Sequence, residues 1–356
     1  MAERPLVLAD FDYELPPELI AQEPAGVRGE SRLLVVERTG RRAGGWAGGG
    51  NPPLRDAMFG DLLSLIPSGD LLVLNSTRVR HARLLGTRPS GGEAEVLLIH
   101  PGAADTWIAM GRPGSAMRPG KRITLGPGVS VETVEVLDDG NRVVRFVGAS
   151  AEEAIKQYGQ LPLPPYITHA PGSIDEERYQ TVYARREGSV AAPTAGLHFT
   201  SALLDQLAQQ GVRIADLDLE VGPGTFKPVE SEDLRGHVMH AERYDVPPAL
   251  VRAVAETRAG GGSVWAAGTT VVRALESAAD EQGVLRPGTS ETALFVTPGY
   301  RFRVVDHLIT NFHLPRSTLL MLVAAFAGYE ATMAAYRHAV AQRYRFYSYG
   351  DAMVVL

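Results

Sequence analysis

From about residue 189 to residue 356 the chain alternates short β-branched or apolar runs with longer stretches of helical spacing. That alternation narrows its fold more than any other feature. The spacing predicts a helix over 201–210, with Leu203, Leu204 and Leu207 inward and Gly211 as its stop. It then predicts a strand over 212–221, a helix over 247–259, a strand over 264–267 and a helix over 269–281. Strands at 294–296 and 304–309, helices at 317–327 and 330–344, and a strand at 352–356 complete the series. Such a series implies an α/β domain with helices laid over a mostly parallel sheet. In sheets of that kind ligands bind where strands end and loops begin.

The first part of the chain fits the same domain. Residues 6–13 read as extended, 16–24 as a short helical turn, 31–37 as a strand, 59–66 as a helix and 71–74 as a buried strand. Residues 39–53, rich in glycine, read as a mobile loop. Between 87 and 147 the character changes. Short runs at 94–99, 107–110, 122–125, 129–136 and 143–147 are separated by Gly, Pro and Asp, with no helical period. This predicts a small β-barrel or sandwich over 87–149, inserted into an α/β catalytic domain made of 1–86 and 150–356. Residues 151–158 read as a helix, 161–166 as a stiff polyproline-like segment and 175–186 as a helix.

Composition removes several classes of chemistry. There is no cysteine, which excludes disulfides, thiolate nucleophiles and cysteine-ligated metals. The formal net charge is −6, so a broadly basic nucleic-acid coat is not expected, although a local basic patch is compatible with it. The N-terminus carries Glu3, Arg4, Asp10 and Asp12 with no apolar core, and the longest apolar stretch, 319–327, is far short of a membrane span. A cytoplasmic protein without membrane association or an obligate protein partner is the expectation.

The chemistry-bearing residues cluster at predicted strand ends. Residues 191–200 read A-A-P-T-A-G-L-H-F-T, a rigid loop that delivers Thr194, Gly196, His198 and Phe199 to a helix start capped by Thr200. His198 is then either a ligand-facing group or a histidine bonded into its own loop. In 216–226, period two puts Asp216, Asp218 and Glu220 on one face, and the exit turn offers Gly222, Gly224, Thr225 and Phe226. This is a half-exposed strand end, or an acidic-x-Gly-x-Gly cofactor loop lacking its third glycine. His237, His240 and Glu242 place two imidazoles and a carboxylate within six residues, suited to acid–base work and short of a complete metal set. Gly268, Thr269, Thr270 and Arg273 join a strand to a helix, and that start suits a carboxylate or phosphate. Thr310, Asn311, Phe312 and His313 repeat the polar-aromatic loop before a helix. The segment 344–351, Y-R-F-Y-S-Y-G-D, is either a core strand or a surface that stacks bases and holds phosphate.

Taken together, these segments resemble the S-adenosylmethionine:tRNA ribosyltransferase-isomerase family of queuosine biosynthesis. The matching stretches run nearly end to end, at 10–16, 31–34, 69–83, 162–167, 178–183, 191–199, 222–229, 237–242, 268–277, 310–320 and 344–353. The resemblance implies S-adenosyl-L-methionine as ribosyl donor, no metal, and tRNA carrying 7-aminomethyl-7-deazaguanine at the wobble position as acceptor. The product implied is epoxyqueuosine, with adenine and methionine released. His198, His240, Glu220 and Glu242 are then the candidate catalytic groups. Thr269, Thr270 and Arg273 are assigned to the methionine carboxylate. Asn75, Thr77, Arg78 and Asn311 are assigned to ribose or base edges, and Phe226 or Phe312 to adenine stacking. Thr194, Gly196, Phe199, Gly222, Gly224, Thr225, His237 and His313 complete the expected substrate site, and Arg345, Tyr347 and Tyr349 the tRNA contact. The family usually has histidine where this chain has Glu220, and x-Pro-Ala-Arg where it has Arg80-His81-Ala82-Arg83. A divergent S-adenosylmethionine-using paralogue, including a methyltransferase, and an inactive tRNA-binding relative are the alternatives.

Overall fold

The structure is a computed structural model that describes residues 6–38, 53–226, 234 and 239–356. Its main body is a nine-stranded sheet. The strands in chain order are β1 (Arg32–Val36), β2 (Leu54–Met58), β3 (Leu71–Asn75), β4 (Arg213–Leu219), β5 (Glu242–Val246), β6 (Val264–Ala267), β7 (Gly288–Thr292), β8 (His307–Asn311) and β9 (Ala352–Val355). Across the sheet they run β7-β5-β4-β3-β6-β8-β9-β1-β2. β4, β3, β6 and β8 are parallel to their neighbours within that set, and β9 is parallel to β1. β7, β5 and β2 join antiparallel, and so does β9 to β8. The expected mostly parallel sheet is therefore mixed: parallel at its centre and antiparallel towards its edges.

β3 explains why its sequence reads as an unbroken apolar run. All five of its residues are buried. Leu71 and Val73 belong to one core, with Leu250, Val271, Leu275 and Leu320 from three helices packed on that face. Leu72 and Leu74 belong to the other, with Phe59, Leu62, Leu203 and Leu207. A strand covered on both sides cannot alternate apolar with polar. The order of β4, β3 and β6 also makes β3 a switch point. The chain leaves β4 on one side of β3 and resumes on the other, so a crevice opens at the carboxyl ends.

A second sheet runs Gly159–Gln160, Arg83–Thr87, Glu93–Pro101, Thr106–Arg112, Arg142–Val147, Val129–Val136 and Arg122–Gly126. Its last strand returns to the Arg83–Thr87 strand through Thr87 and Thr124, which joins the six longer strands in a ring. The ring has its own core, built on Leu84, Val96, Leu98, Ile123, Val131 and Val144. It starts at Arg83, ahead of residue 87.

Several elements differ from expectation, each for a local reason. Leu8–Phe11 is a 3-10 turn rather than extended, held by the Asp10 carboxylate accepting the Val7 amide at 2.7 Å. The helix expected over 175–186 stops at Arg178, and Arg186–Ser189 pairs parallel with Thr77–Val79. Tertiary pairing there overrides local helical propensity. No strand forms at 294–296. The edge strand is β7, polar and mostly exposed, while the Leu294 carbonyl is taken by Arg273 Nε at 3.1 Å. The strand expected from 304 begins at His307, because the amides of Val304 and Val305 each donate to the buried Glu276 carboxylate at 3.0 Å. The glycine-rich stretch expected to be mobile lies outside the described residues except for Pro53.

Candidate active site

A pocket of about 640 Å³ opens at the carboxyl ends of β4, β6 and β8. Its floor is the start of the helix Thr269–Ala278, reached from β6 through Gly268. Gly268 has φ +108°, a left-handed conformation costly for any residue with a Cβ. Thr269 and Thr270 therefore sit at a helix N-terminus that faces the cavity, where free amides and the helix dipole favour an anion. Ala192, Pro193, Thr194 and Ala195 form one wall. Thr310, Asn311, Phe312 and His313 form another, and Tyr166 and Tyr347 close the rim with ring centroids 4.6 Å apart.

Among the described residues, no lining side chain carries a full charge at neutral pH. His313 is the only lining histidine; burial pushes its pKa down to about 3, and its Nε2 lies 2.8 Å from Thr310 Oγ1. Asn311 donates through Nδ2 to the Tyr347 carbonyl at 2.9 Å, and its buried Oδ1 has no hydrogen-bond partner. The site is a neutral, hydroxyl- and amide-lined cleft over a helix start. Among the described residues no group of three or more His, Asp or Glu is arranged to hold a metal.

Several predicted residues lie elsewhere. His198 is only 4% exposed and does not line this pocket. It stacks on Phe59, its Nδ1 lies 2.7 Å from Ser31 Oγ, and burial lowers its pKa to about 4, opposed by the Asn311 side chain. Phe199 is fully buried edge-on to Phe59, so it is core. Gly196 is needed for space, because a Cβ there would run into Tyr183 Oη. Asn75 is spent internally: it accepts the Leu219 and Thr77 amides at 3.0 and 3.2 Å and donates to the Leu219 carbonyl at 3.0 Å. Thr77 bonds Ser189 at 2.8 Å, and Arg78 donates to the Ala184 carbonyl at 3.0 Å.

Arg273 does not wait for a ligand carboxylate. It is 4% exposed, paired with the equally buried Glu242, and donates to the carbonyls of Leu294 and Thr292. Glu242 in turn accepts the Gly222 amide at 3.0 Å. This pair is a clamp that fixes the turn after β4 to the start of the helix. Glu220 lies away from the pocket, against Gly188 and within reach of the field of Arg80. Its neighbour Asp218 is raised to about 6, chiefly by burial. His240 is exposed, and a Cβ at Gly224 would stand 2.9 Å from its ring. Thr225 and Phe226 fall in a 3-10 turn whose side chains are not described, and His237 lies outside the described residues. Tyr349 is buried with its hydroxyl on Asp175 at 2.7 Å, so it offers no face for stacking a base from solvent. Tyr347 is buried as well, at the pocket rim, and Arg345 is half-buried with a guanidinium bond to the Glu23 carbonyl. Sequence reasoning missed Tyr166, Ala195 and Ser348 as lining groups. Tyr166 ends the proline-rich stretch, a stiff spacer well suited to presenting a ring.

The two depressed histidines carry a pH dependence. Both titrate below their ordinary value of 6.5, so between pH 6.5 and 4 the unfolded chain binds protons that the native chain refuses. Their stabilising contribution is complete above pH 6.5 and is lost as pH falls. At pH 5 each is expected to cost about 2 kcal/mol relative to pH 7. Urea midpoints for the parent and for His198→Gln at both pH values check this; the variant should lose part of the dependence.

An α/β fold with an uncharged, ligand-sized cleft at a switch point, floored by a helix start, defines a small-molecule site of the enzyme kind. The chain belongs to the family described as queuosine biosynthesis protein, whose model matches residues 8–355. It is 53% identical over 346 residues to the S-adenosylmethionine:tRNA ribosyltransferase-isomerase of Thiobacillus denitrificans, covering 97% of this chain and 96% of that one. The protein of the same name from Cupriavidus pinatubonensis is 53% identical over 353 residues, covering 98% and 99%. Among solved structures, S-adenosylmethionine tRNA ribosyltransferase from Thermotoga maritima is 36% identical with a TM-score of 0.54, covering 98% of this chain and 100% of that one.

Proposed function

We propose that this chain transfers and isomerises the ribosyl unit of S-adenosyl-L-methionine onto 7-aminomethyl-7-deazaguanine in tRNA, giving epoxyqueuosine with release of adenine and methionine. The observation that carries this reading is end-to-end identity of 53% with enzymes of that name, together with the cleft that the shared segments build. The same identity favours it over a methyltransferase or an inactive relative. The chain works in the cytoplasm, where tRNA is modified. Its architecture is an α/β body into which the ring of strands over 83–160 is inserted as a small barrel.

Within the cleft, the amides and hydroxyls at Thr269 and Thr270 hold the methionine carboxylate. Tyr166, Phe312 and Tyr347 supply faces for adenine. Asn311 Oδ1 accepts from ribose or base. A proton must leave the carbon beside the sulfonium, and adenine must depart protonated. We assign those proton exchanges to His240, exposed beside Gly224, and to His198, which reaches the cleft only through Asn311. The clamp of Glu242 and Arg273 holds the floor rather than the substrate.

Incubation with S-adenosylmethionine and precursor-bearing tRNA should yield free adenine, free methionine and a mass shift in the tRNA nucleoside. Formation of S-adenosylhomocysteine instead would establish the methyltransferase. A plug offers a second check. Ala195 is buried in the cleft wall. Ala195→Phe is expected to weaken S-adenosylmethionine binding at least tenfold, roughly 1.4 kcal/mol or more, by calorimetry.

A further inference from the structure

Beside the main cleft lies a smaller recess of about 280 Å³, and Ser348 lines both. Arg28 and Arg178 face it from opposite segments, over a floor that includes Ser31 and His198. Arg28 donates to the carbonyls of Gln180, Leu197 and Glu177, and Arg178 to those of Ala25 and Gly26. Arg345 anchors on the Glu23 carbonyl next to the recess wall, and its charge is felt at His198 along with that of Arg28. Among the described residues none of these three arginines forms an ion pair with a carboxylate. Burial and the like charge of Arg178 both lower the Arg28 pKa, offset in part by Glu177, Tyr183 and Tyr349. Asp175 is occupied by the Tyr349 hydroxyl and the Gly172 amide, and Asp351 by the Arg32 and Arg345 amides with the Arg32 guanidinium 3.6 Å away.

Carbonyl anchors fix the guanidiniums in place without neutralising them. Partly desolvated like charges held together by carbonyls leave an unmet demand for an anion, and a planar fork of donors matches a phosphate. We propose that this recess binds a backbone phosphate of the tRNA, placing the acceptor nucleotide over the adjoining cleft. The proposal rests on the functional reading above and adds to it the contact by which the polynucleotide is registered. An RNA phosphodiester is favoured over a free phosphate because Pro24, Ala25, Arg28, Gly29 and Arg178 at the recess are partly exposed to solvent, and a polynucleotide is already required.

The test is tRNA binding by the full chain across a salt series, with S-adenosylmethionine binding measured in parallel. Arg178→Gln is the main variant, because Arg178 is only half-buried and its anchors lie on a surface turn; Arg178→Lys is the conservative control. Arg178→Gln is expected to weaken tRNA binding about tenfold and to flatten the log–log salt slope by roughly 0.7–0.9, one phosphate contact. S-adenosylmethionine affinity and melting temperature should stay within error, and the lysine variant should recover most of the loss. Unchanged tRNA affinity in a folded variant overturns the site. So does weaker binding with an unchanged salt slope, which marks a structural role. If inorganic phosphate raises the melting temperature of the parent, yet Arg178→Gln binds tRNA normally, the recess takes a free oxyanion and the RNA assignment is wrong. Failure of the parent chain to bind any tRNA overturns the functional reading itself, and the site with it.

Discussion

Glu242→Ala is expected to lower the unfolding free energy by about 3–5 kcal/mol. The reason is the charge it strands. Arg273 is buried at the base of the cleft, and its carboxylate partner would be gone while two carbonyls remain. The Gly222 amide would lose its acceptor at the same time. Urea denaturation reads the loss directly. Because a buried pair returns little net stability, the double change Glu242→Leu with Arg273→Met is expected to recover a large part of it. If Glu242→Ala instead abolished turnover while leaving the urea midpoint in place, Glu242 would be a catalytic group and the clamp assignment would be wrong.

Asn75→Ala is the second large effect. The side chain of Asn75 satisfies the amides of Leu219 and Thr77 and the carbonyl of Leu219, all at the switch point of the sheet. Asn75 is fully buried, so water cannot replace it. The Leu219 carbonyl keeps the Ser189 hydroxyl at 3.5 Å, and two backbone amides left unpaired, at about 1–2 kcal/mol each, give an expected loss of about 2–4 kcal/mol. The turn after β4 also loses its tie to β3, so S-adenosylmethionine binding should fall with stability. Asn75→Asp keeps the two acceptor bonds and loses the donor, and is expected to lie between the parent and alanine. Equal stability of Asn75→Ala and the parent would show that the polar knot does not hold the cleft.

The legible parts of the sequence were those governed by burial. β3, β6 and the helices Ser201–Gln209 and Pro248–Ala259 announce themselves because their apolar residues face covered cores. The ring strands were legible from their short spacing between turn residues. What stayed hidden was set by partners far away in the chain. β7 is polar, and nothing local distinguishes it from a loop until β5 pairs with it. Residues 179–186 have helical character, and only Thr77–Val79 draws their end into a strand.

In the site, motif reading found the loops but not the hydrogen bonds their side chains make within the protein. Gly268, Thr269, Thr270, Asn311 and Phe312 do meet at one cleft. Arg273, Asn75 and Glu242 look like ligand-seeking groups in sequence because they are polar and sit beside glycines. Their hydrogen bonds tie the cleft walls together. Tyr349 looks like part of a stacking surface, yet it is buried with its hydroxyl on Asp175, while Tyr347 lines the cleft. A one-dimensional reading has no access to which face of an aromatic is covered.

The pairing of β1 with β9 has a kinetic consequence. Leu33 lies beside Ala352, and Val36 beside Val355, so the sheet is sealed by segments separated by most of the chain. A large entropy must be surrendered before that seam yields any contact energy. High contact order of this kind slows folding, towards roughly milliseconds to seconds even for small domains. Refolding from denaturant should therefore populate a species whose ring of strands has formed while the seam is still open, with transient strand edges that make dilution and chaperones matter for yield.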